Sequence, residues 1–525
     1  MIITLCLGSC FLCILIIYLW SIHNSYNYFK SRHIPGPPHE FFFGHLRTIW
    51  STKRYSKQIQ EWTRKYGSIY GLYEGTRPLY IVSDVNFLQE VFIKQFSSFH
   101  SRRVLFLARM GVGTPENLFG SSGSTWRRQR LIVNPTFSLN KMKLMLPVVN
   151  ECIEILMNKL AGHCETNEEF NIYDMFQRMT MDIIWRSGFG IESDMQNDIE
   201  NIYLKKSAEV IEINYDKLFI VQLSNLMPFL KPLLKIIVRC HLKFVQTIRR
   251  KIPLINRFME ELAPFWIINQ AQEIVNYRQS NSNEQKRIDL LQMMMDAKIS
   301  NEKDKIENMD EEIEQKKLYP HEVVGNILIF MIAGYETTST TLAYCTYVLA
   351  TRPDLQEKLF NEINEHQNAK EYEDDYDLVT NISYIDLFIR EVLRVFPIII
   401  QSTSRECNKT TTICGHQIEE GSVIQADILT IHFDPDIWGP EDPNEFLPER
   451  HLTKRHPVSW MAFGVGPRNC VGMRFAIMEL KMCLTRLLTQ FEILPGENLE
   501  KHFKLTELTM INPEAVFIRL KRRDN

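Results

Sequence analysis

A cysteine near the C-terminal end of the chain stands in a pattern that suits metal binding. Five residues carry the pattern: Phe463, Gly466, Arg468, Cys470 and Gly472. A thiolate can ligate iron, and a thiolate opposite an open coordination position donates electron density that favours O–O bond cleavage. Glycines near the sulfur let the backbone turn tightly and approach a flat ligand. These residue types predict that Cys470 is the axial ligand of a haem iron.

Three neighbours of Cys470 would support this role. A helix is predicted to begin at Met473, and its positive end would lower the pKa of the thiol. Phe463 would shield the sulfur from water, and Arg468 would pair with a haem propionate. The alternative is a buried structural cysteine in a glycine-rich turn. A chance match to all five positions is on the order of one in ten thousand for a chain of this length, which favours the ligand.

A second group of reactive residues lies in the long apolar stretch 321–350, which is predicted to be a helix. It contains the run Ala-Gly-Tyr-Glu-Thr-Thr at 333–338. Gly and β-branched Thr lower helix stability, so this run marks a functional site. We expect Gly334 to let the helix approach a flat ligand and the Thr337 hydroxyl to bond a backbone carbonyl. Glu336 and Thr337 then form an acid–alcohol pair able to pass protons; the alternatives are a helix N-cap or a satisfied polar pair in the core.

Two further pairs have helical spacing. Trp126 and Arg130 are four residues apart and share a helix face, which on its own indicates a surface arginine cluster. Glu391 and Arg394 are three apart, in a predicted helix that ends before Pro397, and alone would form an ordinary surface pair.

Together these motifs resemble the signatures of the cytochrome P-450 family. Residues 463–472 match Phe-x-x-Gly-x-Arg-x-Cys-x-Gly, and residues 333–337 match Ala-Gly-x-Glu-Thr. The matches occur in order over nearly the whole chain and look most like the microsomal branch that contains broad-specificity drug and steroid oxidisers and thromboxane synthase. The resemblance implies a mainly α fold with a smaller β-rich part. Haem b (iron protoporphyrin IX) would lie between a distal helix around Glu336 and the proximal loop of Cys470.

The resemblance also implies roles for other residues. Those expected to bind the haem are Trp126, Arg130, Arg405, Phe463, Gly466, Arg468 and Gly472, with Cys470 on the metal and Glu336 and Thr337 as the catalytic pair. Glu391, Arg394 and Arg450 would form a buried structural triad, in which losing one member leaves an uncompensated charge. His451 stands where the family usually has an aromatic residue.

The overall composition bears on two further questions, which are the kind of binding partner and the use of the cysteines. The formal net charge of −3 gives no reason to expect nucleic-acid binding. The 11 cysteines are odd in number and show no paired spacing, which favours a reduced, cytosol-facing body over a disulfide framework or a zinc site.

The N-terminal residues predict a membrane anchor. Residues 1–22 carry no charged side chain and are long enough to span a bilayer as a signal anchor. A cleaved signal peptide is the rival, but the segment shows no positive n-region or small-residue cleavage site. Lys30 and Arg32 follow the span, which places the body in the cytosol. We expect residues 23–40 to form a Pro-rich hinge that sets the body at a fixed angle, and 41–525 to form the catalytic domain on the endoplasmic reticulum.

The other segments of the chain carry weaker patterns, which predict the type of element but no specific chemistry. Residues 55–66 predict a helix, and 69–73 with 78–82 predict a β-hairpin. Residues 96–123 predict a long loop, which by resemblance would cover the haem. The apolar and basic segment 226–252 suits either contact with anionic lipids or buried helix faces, and both stay open. The charged segment 300–317 predicts a solvated loop.

The resemblance implies a monooxygenase that inserts one atom of O₂ into a lipophilic small molecule. Electrons would come from NADPH through NADPH–cytochrome P-450 reductase, with cytochrome b5 as a second donor. An acidic partner surface would dock near Arg127, Arg128, Lys481 and the Cys470 loop. Two rivals are a haem-thiolate isomerase of a peroxide, which does not need proton delivery, and a non-catalytic haem protein.

Overall fold

The computed structural model describes residues 2–103, 116–192, 194–213, 217–252, 261–281, 289–297, 317–369 and 375–523. Part of the predicted loop 96–123 and nearly all of the charged segment 300–317 lie outside the described residues.

Helices make up most of the described chain. The α-helices are α1 (Ile2–Ser25), α2 (Asn27–Lys30), α3 (Leu46–Ser51), α4 (Tyr55–Tyr66), α5 (Val85–Gln89), α6 (Gly123–Val133), α7 (Leu139–Lys143), α8 (Leu146–Thr166), α9 (Ile172–Ile183), α10 (Ile202–Glu212), α11 (Phe219–Leu226), α12 (Lys231–Lys251), α13 (Ala263–Ser280), α14 (Leu290–Asp296), α15 (Pro320–Thr351), α16 (Pro353–Ala369), α17 (Asp375–Asn381), α18 (Ser383–Val395), α19 (Ile428–His432), α20 (Pro435–Trp438), α21 (Met473–Gln490) and α22 (Leu499–His502). This agrees with the predicted mainly α fold.

The strands form four small sheets. They are β1 (Ile69–Glu74), β2 (Arg77–Val82), β3 (Phe170–Asn171), β4 (Ser404–Glu406), β5 (Thr411–Ile413), β6 (His416–Ile418), β7 (Val423–Ala426), β8 (Phe491–Pro495), β9 (Leu505–Glu507), β10 (Ile511–Pro513) and β11 (Phe517–Arg522). The largest sheet has the order β1-β2-β7-β4, in which β2 pairs with β7 in parallel and the other neighbours are antiparallel. A second sheet has the order β3-β11-β8, and β5–β6 and β9–β10 are two-stranded.

The core is built around α15, whose 32 residues are mostly buried. It packs against α9, α13 and α21, so the helix that carries residues 333–338 and the helix that follows the Cys470 loop are held against each other. A helix that is apolar on nearly all sides must be enclosed, and its neighbours supply that enclosure. The predicted helices 55–66 and 321–350, the helix beginning at Met473 and the hairpin of β1 and β2 are confirmed.

Helix α1 stands apart from this core. Ile3–Lys30 is long and apolar enough to cross a membrane, and none of its most hydrophobic stretch is buried. Most large apolar side chains of residues 3–20 are more than half exposed. Burial against protein therefore does not explain its composition, whereas a lipid environment would.

The residues after α1 pack onto the largest sheet. Phe29 is buried, and a Cβ on Gly71 of β1 would lie only 2.4 Å from its ring. The Tyr73 hydroxyl donates to the Tyr26 carbonyl at 2.8 Å, and the Gly71 N–H donates to the Pro35 carbonyl at 2.9 Å. Strand β1 thus contacts both the segment that carries Tyr26 and Phe29 and the first of the Pro-rich residues, Pro35.

Candidate active site

The Cys470 loop is a tight turn closed by a backbone hydrogen bond. The Cys470 N–H donates to the Phe463 carbonyl at 2.8 Å, and Gly466–Arg468 form a 3₁₀ turn between them. Phe463 is half-buried and lies against Trp460, with ring centroids 5.8 Å apart. The aromatic ring and the sulfur therefore belong to the same closed loop.

Gly466 is the glycine on which the loop depends most. Its φ is +72°, and a Cβ there would lie 2.0 Å from the carbonyl oxygen of Phe92. Glycine is needed at this position for two reasons. The loop approaches the π-helical turn Glu90–Lys94 closely, and the residue has a positive φ. Gly472 differs, since its φ is −87° and an added Cβ would only touch Phe137 at 3.8 Å.

Helix α21 begins directly after this loop, with Gly472 as its N-cap. Cys470 keeps accessible surface, although protein surrounds it on most sides. Desolvation raises the pKa of the thiol, whereas the Gly472 N–H and the charges of Arg130 and Arg102 lower it. Desolvation is the largest of these effects, so the pKa of the Cys470 thiol is raised on balance, contrary to the lowering expected from the end of the helix, and a bound metal would supply the deprotonation.

Four arginines converge beside the loop: Arg102, Arg130, Arg405 and Arg468. Burial and the charges of Arg102 and Arg130 lower the pKa of Arg468 to about 8. Burial likewise lowers the pKa of Arg102 to about 10. Burial and the charges of Arg102 and Arg468 lower the pKa of Arg405 well below its usual range. The cluster is therefore a strongly positive, desolvated site.

These arginines are tied to the loop and to one another by backbone contacts. Arg130 donates to the carbonyl and side-chain oxygens of Asn469 at 2.9 and 2.8 Å, and Arg102 donates to the Arg468 carbonyl at 2.8 Å. The Arg468 guanidinium lies 4.5 Å from the ring centroid of the buried Trp126. The structure thus brings Trp126, Arg130 and Arg468 together around the residue before Cys470.

The cluster fits a dicarboxylate ligand. The Nε atoms of Arg102, Arg405 and Arg468 are buried without a hydrogen-bond partner, and no carboxylate among the described residues pairs with the four arginines. Burying unpaired cations is costly unless an anion compensates them. A haem carries two propionates, so these residues and the neighbouring thiol suit that group.

Helix α15 presents Thr337 with the geometry predicted from sequence. The Thr337 hydroxyl donates to the Ala333 carbonyl at 2.6 Å, and the Thr341 hydroxyl donates to the Thr337 carbonyl at 2.7 Å. Ala333 is exposed and Thr337 half-buried, although most of their neighbours in α15 are buried. Gly334 differs from our expectation: a Cβ there would lie 2.5 Å from the Ile184 side chain, so this glycine admits a protein neighbour.

Glu336 and Thr337 are adjacent, but their side chains bond to different partners. The Glu336 carboxylate is buried and accepts from the Tyr173 hydroxyl at 2.6 Å and from Asn512 Nδ2 at 3.2 Å. Gln177 Nε2 reaches its other oxygen at 3.4 Å. The acid is held against α9 and β10, whereas the Thr337 hydroxyl bonds within α15.

The three charged residues of the predicted triad meet in the interior. Arg394 Nε lies 2.8 Å from Glu391 Oε2, and Arg450 Nε lies 3.0 Å from Glu391 Oε1, with all three side chains fully buried. Burial alone would raise the pKa of Glu391, but hydrogen bonds from Arg394 and His451 lower it to about 2. His451 Nε2 lies 3.0 Å from Glu391 Oε2, and its ring packs edge-on against Trp438. The histidine therefore keeps an aromatic contact and adds a fourth polar member.

A second buried histidine links this cluster to the Cys470 loop. His432 Nδ1 lies 3.0 Å from the Arg394 carbonyl, and its Nε2 accepts the N–H of Met461 at 3.2 Å. Accepting at Nε2 requires the proton to be on Nδ1, so the neutral ring has one tautomer. Burial lowers the pKa of His432 to about 3, which keeps it neutral.

Two of the cations expected to meet an acidic partner point inward, so this part of the prediction is wrong. Arg128 pairs with the buried Glu322, and its side chain is 11% exposed. Lys481 is 9% exposed and lies 3.9 Å from Asp386. Both cations already pair with carboxylates of the protein. Arg128 lies on the side of α6 that faces α15, and Lys481 lies on the side of α21 that faces α18.

Sequence reasoning missed Arg102, His432 and Tyr173. Arg102 lies in a loop without periodicity, and the pairing of Tyr173 with Glu336 joins residues more than 150 positions apart. His451 was noted as a departure, and its position next to Arg450 could have indicated a contact with the triad. The other partners depend on tertiary packing.

A thiol in the loop just before a helix, a cluster of arginines beside it and a long apolar helix that carries Glu336 and Thr337 together fit the class of haem-thiolate proteins. Comparison with known sequences agrees. The Cytochrome P450 family profile matches residues 34–519. The chain is 30% identical to Cytochrome P450 3A29 of Sus scrofa over 524 residues, covering 97% of this chain and 95% of the relative. It is 32% identical to Putative cytochrome P450 CYP13A2 of Caenorhabditis elegans over 537 residues, covering 98% of each. The chain belongs to the cytochrome P450 family and is a haem-thiolate monooxygenase.

Proposed function

We propose that this enzyme inserts one atom of O₂ into a lipophilic small molecule, with electrons from NADPH delivered by NADPH–cytochrome P-450 reductase and with cytochrome b5 as a second donor. The overall reaction converts substrate R–H, O₂, NADPH and a proton into R–OH, water and NADP⁺. The observation that carries the proposal is the cluster of four arginines beside Cys470, two of them buried (Arg405 and Arg468) and two half-buried (Arg102 and Arg130), which suits haem b with its two propionates.

Bound haem supplies the O₂ chemistry, and the chain positions it. Cys470 is the proposed iron ligand. Arg102, Arg130, Arg405 and Arg468 would hold the propionates, with Trp126 buried beneath the Arg468 guanidinium. Charge-assisted bonds from arginine to carboxylate are strong and directional, so this set would fix both the site and the tilt of the ring.

The other proposed cofactor-binding residues shape the proximal side. Phe463 would limit water at the sulfur, because its carbonyl is bonded to the Cys470 N–H and its half-buried ring belongs to the same closed loop. Gly466 allows the loop to approach Phe92, and Gly472 caps α21. The triad of Glu391, Arg394 and Arg450 would keep the core behind the loop rigid.

On the distal side we propose that Glu336 and Thr337 manage protons. Thr337 has a half-buried side chain whose hydroxyl bonds the Ala333 carbonyl, and Glu336, the residue before it, has a buried carboxylate. A hydroxyl and a carboxyl placed near a reacting oxygen act as proton donor and acceptor. A peroxide isomerase would not need this pair.

The membrane arrangement is proposed from exposed apolar surface. We infer that residues 1–22 anchor the enzyme in the endoplasmic reticulum, that 23–40 join the anchor to the body, and that 41–525 face the cytosol. Helix α12 also exposes apolar side chains between basic ones, and Phe229, just before it, lies 5.3 Å from the Tyr18 ring of α1. Such a helix suits anionic lipid headgroups.

Reconstitution tests the reaction. Purified protein with reductase, NADPH and a panel of lipophilic compounds should yield oxygenated products that carry one ¹⁸O atom from ¹⁸O₂. The isomerase would instead be established by two results together. The protein would rearrange an organic peroxide in the absence of NADPH and reductase, and it would form no product from the lipophilic compounds in their presence.

A further inference from the structure

The carboxylate of Glu336 is held by side chains from two other elements. Tyr173, at the start of α9, donates its hydroxyl to Glu336 Oε1 at 2.6 Å. Asn512 of β10 donates to the same oxygen at 3.2 Å, and Gln177 donates to Oε2 at 3.4 Å. All three of these donors are neutral, and the tyrosine bond is the shortest. Hydrogen bonds to a buried carboxylate are among the stronger ones in proteins.

The Tyr173 hydroxyl has a second hydrogen-bond partner on α15. Thr340, one turn after Glu336, has its hydroxyl 3.0 Å from that of Tyr173. Since Tyr173 gives its own proton to Glu336, Thr340 must be the donor in this second bond. Burial and the neighbouring Glu336 charge raise the pKa of Tyr173, so the phenol stays protonated. The direction of the chain from Thr340 to Tyr173 to Glu336 is therefore defined.

Thr337 belongs to a different set of bonds. Its hydroxyl donates along α15 to the Ala333 carbonyl at 2.6 Å. A proton that Glu336 exchanges with the Thr337 side of the helix must therefore enter or leave a carboxyl group that is held toward α9 and β10. The side chain that controls this position is the one with the shortest bond to it.

We propose that Tyr173 is a positioning residue for Glu336: its hydroxyl holds the carboxylate on the α9–β10 side of α15, and proton delivery depends on that position. The inference rests on the proposed function, because it affects the reaction only if Glu336 exchanges protons there. Tyr173 is 3% exposed and its ring is packed in the core, so its role toward substrate is indirect.

Tyr173→Phe removes the hydroxyl and keeps the ring. In the reconstituted enzyme, product formed per NADPH consumed is expected to fall about twofold or more, because the carboxylate loses its main anchor. The affinity of substrate, measured by its spectral shift, is expected to stay unchanged. Thr340→Val is the matched control, since it removes a hydrogen bond from the same tyrosine without touching Glu336, and it should retain most of the coupling.

A melting-temperature cycle tests the contact without turnover. Tyr173→Phe should lower the melting temperature more in the wild-type background than in Glu336→Leu, because only the wild-type side chain accepts the Tyr173 hydrogen bond. Equal losses in the two backgrounds would overturn the positioning role.

The outcomes also separate this proposal from the proposed function. If Glu336→Gln uncouples the enzyme and Tyr173→Phe does not, the positioning role fails and the role of Glu336 stands. If Glu336→Gln leaves coupling unchanged, both roles fail. If Thr340→Val uncouples as strongly as Tyr173→Phe, the effect is general to the packing of α9 on α15, and the proposal is overturned.

Discussion

His451 Nε2 lies 3.0 Å from Glu391 Oε2, so a histidine completes a buried ion cluster that already holds two arginines. Burial lowers the pKa of His451, although the Glu391 carboxylate opposes this, and the ring is neutral at neutral pH. It therefore contributes a neutral N–H to Glu391 without adding a third buried cation beside Arg394 and Arg450.

The burial of His451 predicts a pH dependence of stability. The unfolded chain binds a proton at His451 near the usual histidine pKa of about 6.5, whereas the folded chain does so only at lower pH, so the free energy of unfolding falls as pH drops below about 6.5. His432, whose pKa is lowered to about 3, acts in the same direction. The pKa of Glu391, about 2, means that its own contribution is lost only in stronger acid.

His451→Phe tests the histidine directly. At pH 7.5 the variant should unfold more easily by about 1–2 kcal/mol, because Glu391 loses a donor. The difference in stability from wild type should shrink as pH falls toward 5. Wild type loses stability there because the pKa of His451 is lower in the folded than in the unfolded chain, and the variant has no histidine at this position. Melting curves of both proteins across this range give the answer, and parallel pH profiles would contradict it.

Cys470→Ala tests the metal ligand. The reduced, CO-bound wild-type protein should show the strongly red-shifted Soret band of thiolate ligation, and the variant should lose it because no other sulfur replaces the ligand. Cys414→Ser, at an exposed cysteine of the β5–β6 turn, is the control and should keep the band. A normal thiolate band in Cys470→Ala would refute the assignment.

Thr337→Ala tests proton management on α15. The variant should retain haem but convert more NADPH into peroxide and less into product, since a hydroxyl near the distal side is lost. Thr341→Ala is a close control because Thr341 makes the same kind of bond, to the carbonyl one turn earlier, in the buried part of the helix. Equal uncoupling in both variants would mean that helix geometry, and not the Thr337 hydroxyl, is responsible.

Arg405→Met tests the buried arginine cluster. The guanidinium is 2% exposed, has an unpartnered Nε and lies 4.4 Å from the Phe92 ring centroid. Replacing it with an apolar side chain should lower the haem bound per protein, measured as the pyridine haemochrome. Arg455→Met, at an arginine that packs on Trp438, should retain its haem. Full haem content in Arg405→Met would exclude a propionate role.

Sequence patterns predicted those parts of the fold and site that depend on local chemistry. Helix α4, the β1–β2 hairpin and the start of α21 follow from periodicity and turn residues, and the Cys470 loop follows from spacing. Gly334 was misread because a glycine that admits a ligand and one that admits Ile184 look the same in sequence. The inward pairing of Arg128 with Glu322 joins residues 194 positions apart, and only packing determines it.

The last prediction concerns the segment between the membrane anchor and the body. Tyr26, Phe29 and Ile34 are each at most 7% exposed and pack with Tyr73 and Tyr80 of the main sheet. Burying a large apolar side chain stabilises a fold by about 1.5–3 kcal/mol. A shortened chain that begins at residue 22 should therefore melt at a clearly higher temperature than one that begins at residue 35.

A point variant separates packing from chain length. In the full chain in detergent, Phe29→Ala should destabilise the body by about 3–5 kcal/mol, because it leaves a cavity against Gly71. Phe11→Ala, at a 68% exposed position of α1, should leave the melting temperature of the body unchanged. If the two shortened chains melt together and Phe29→Ala behaves like Phe11→Ala, the aromatic contacts do not fix the anchor to the sheet. If they differ as expected, the segment that carries Tyr26, Phe29 and Ile34 is a stably packed part of the body before the chain reaches its prolines.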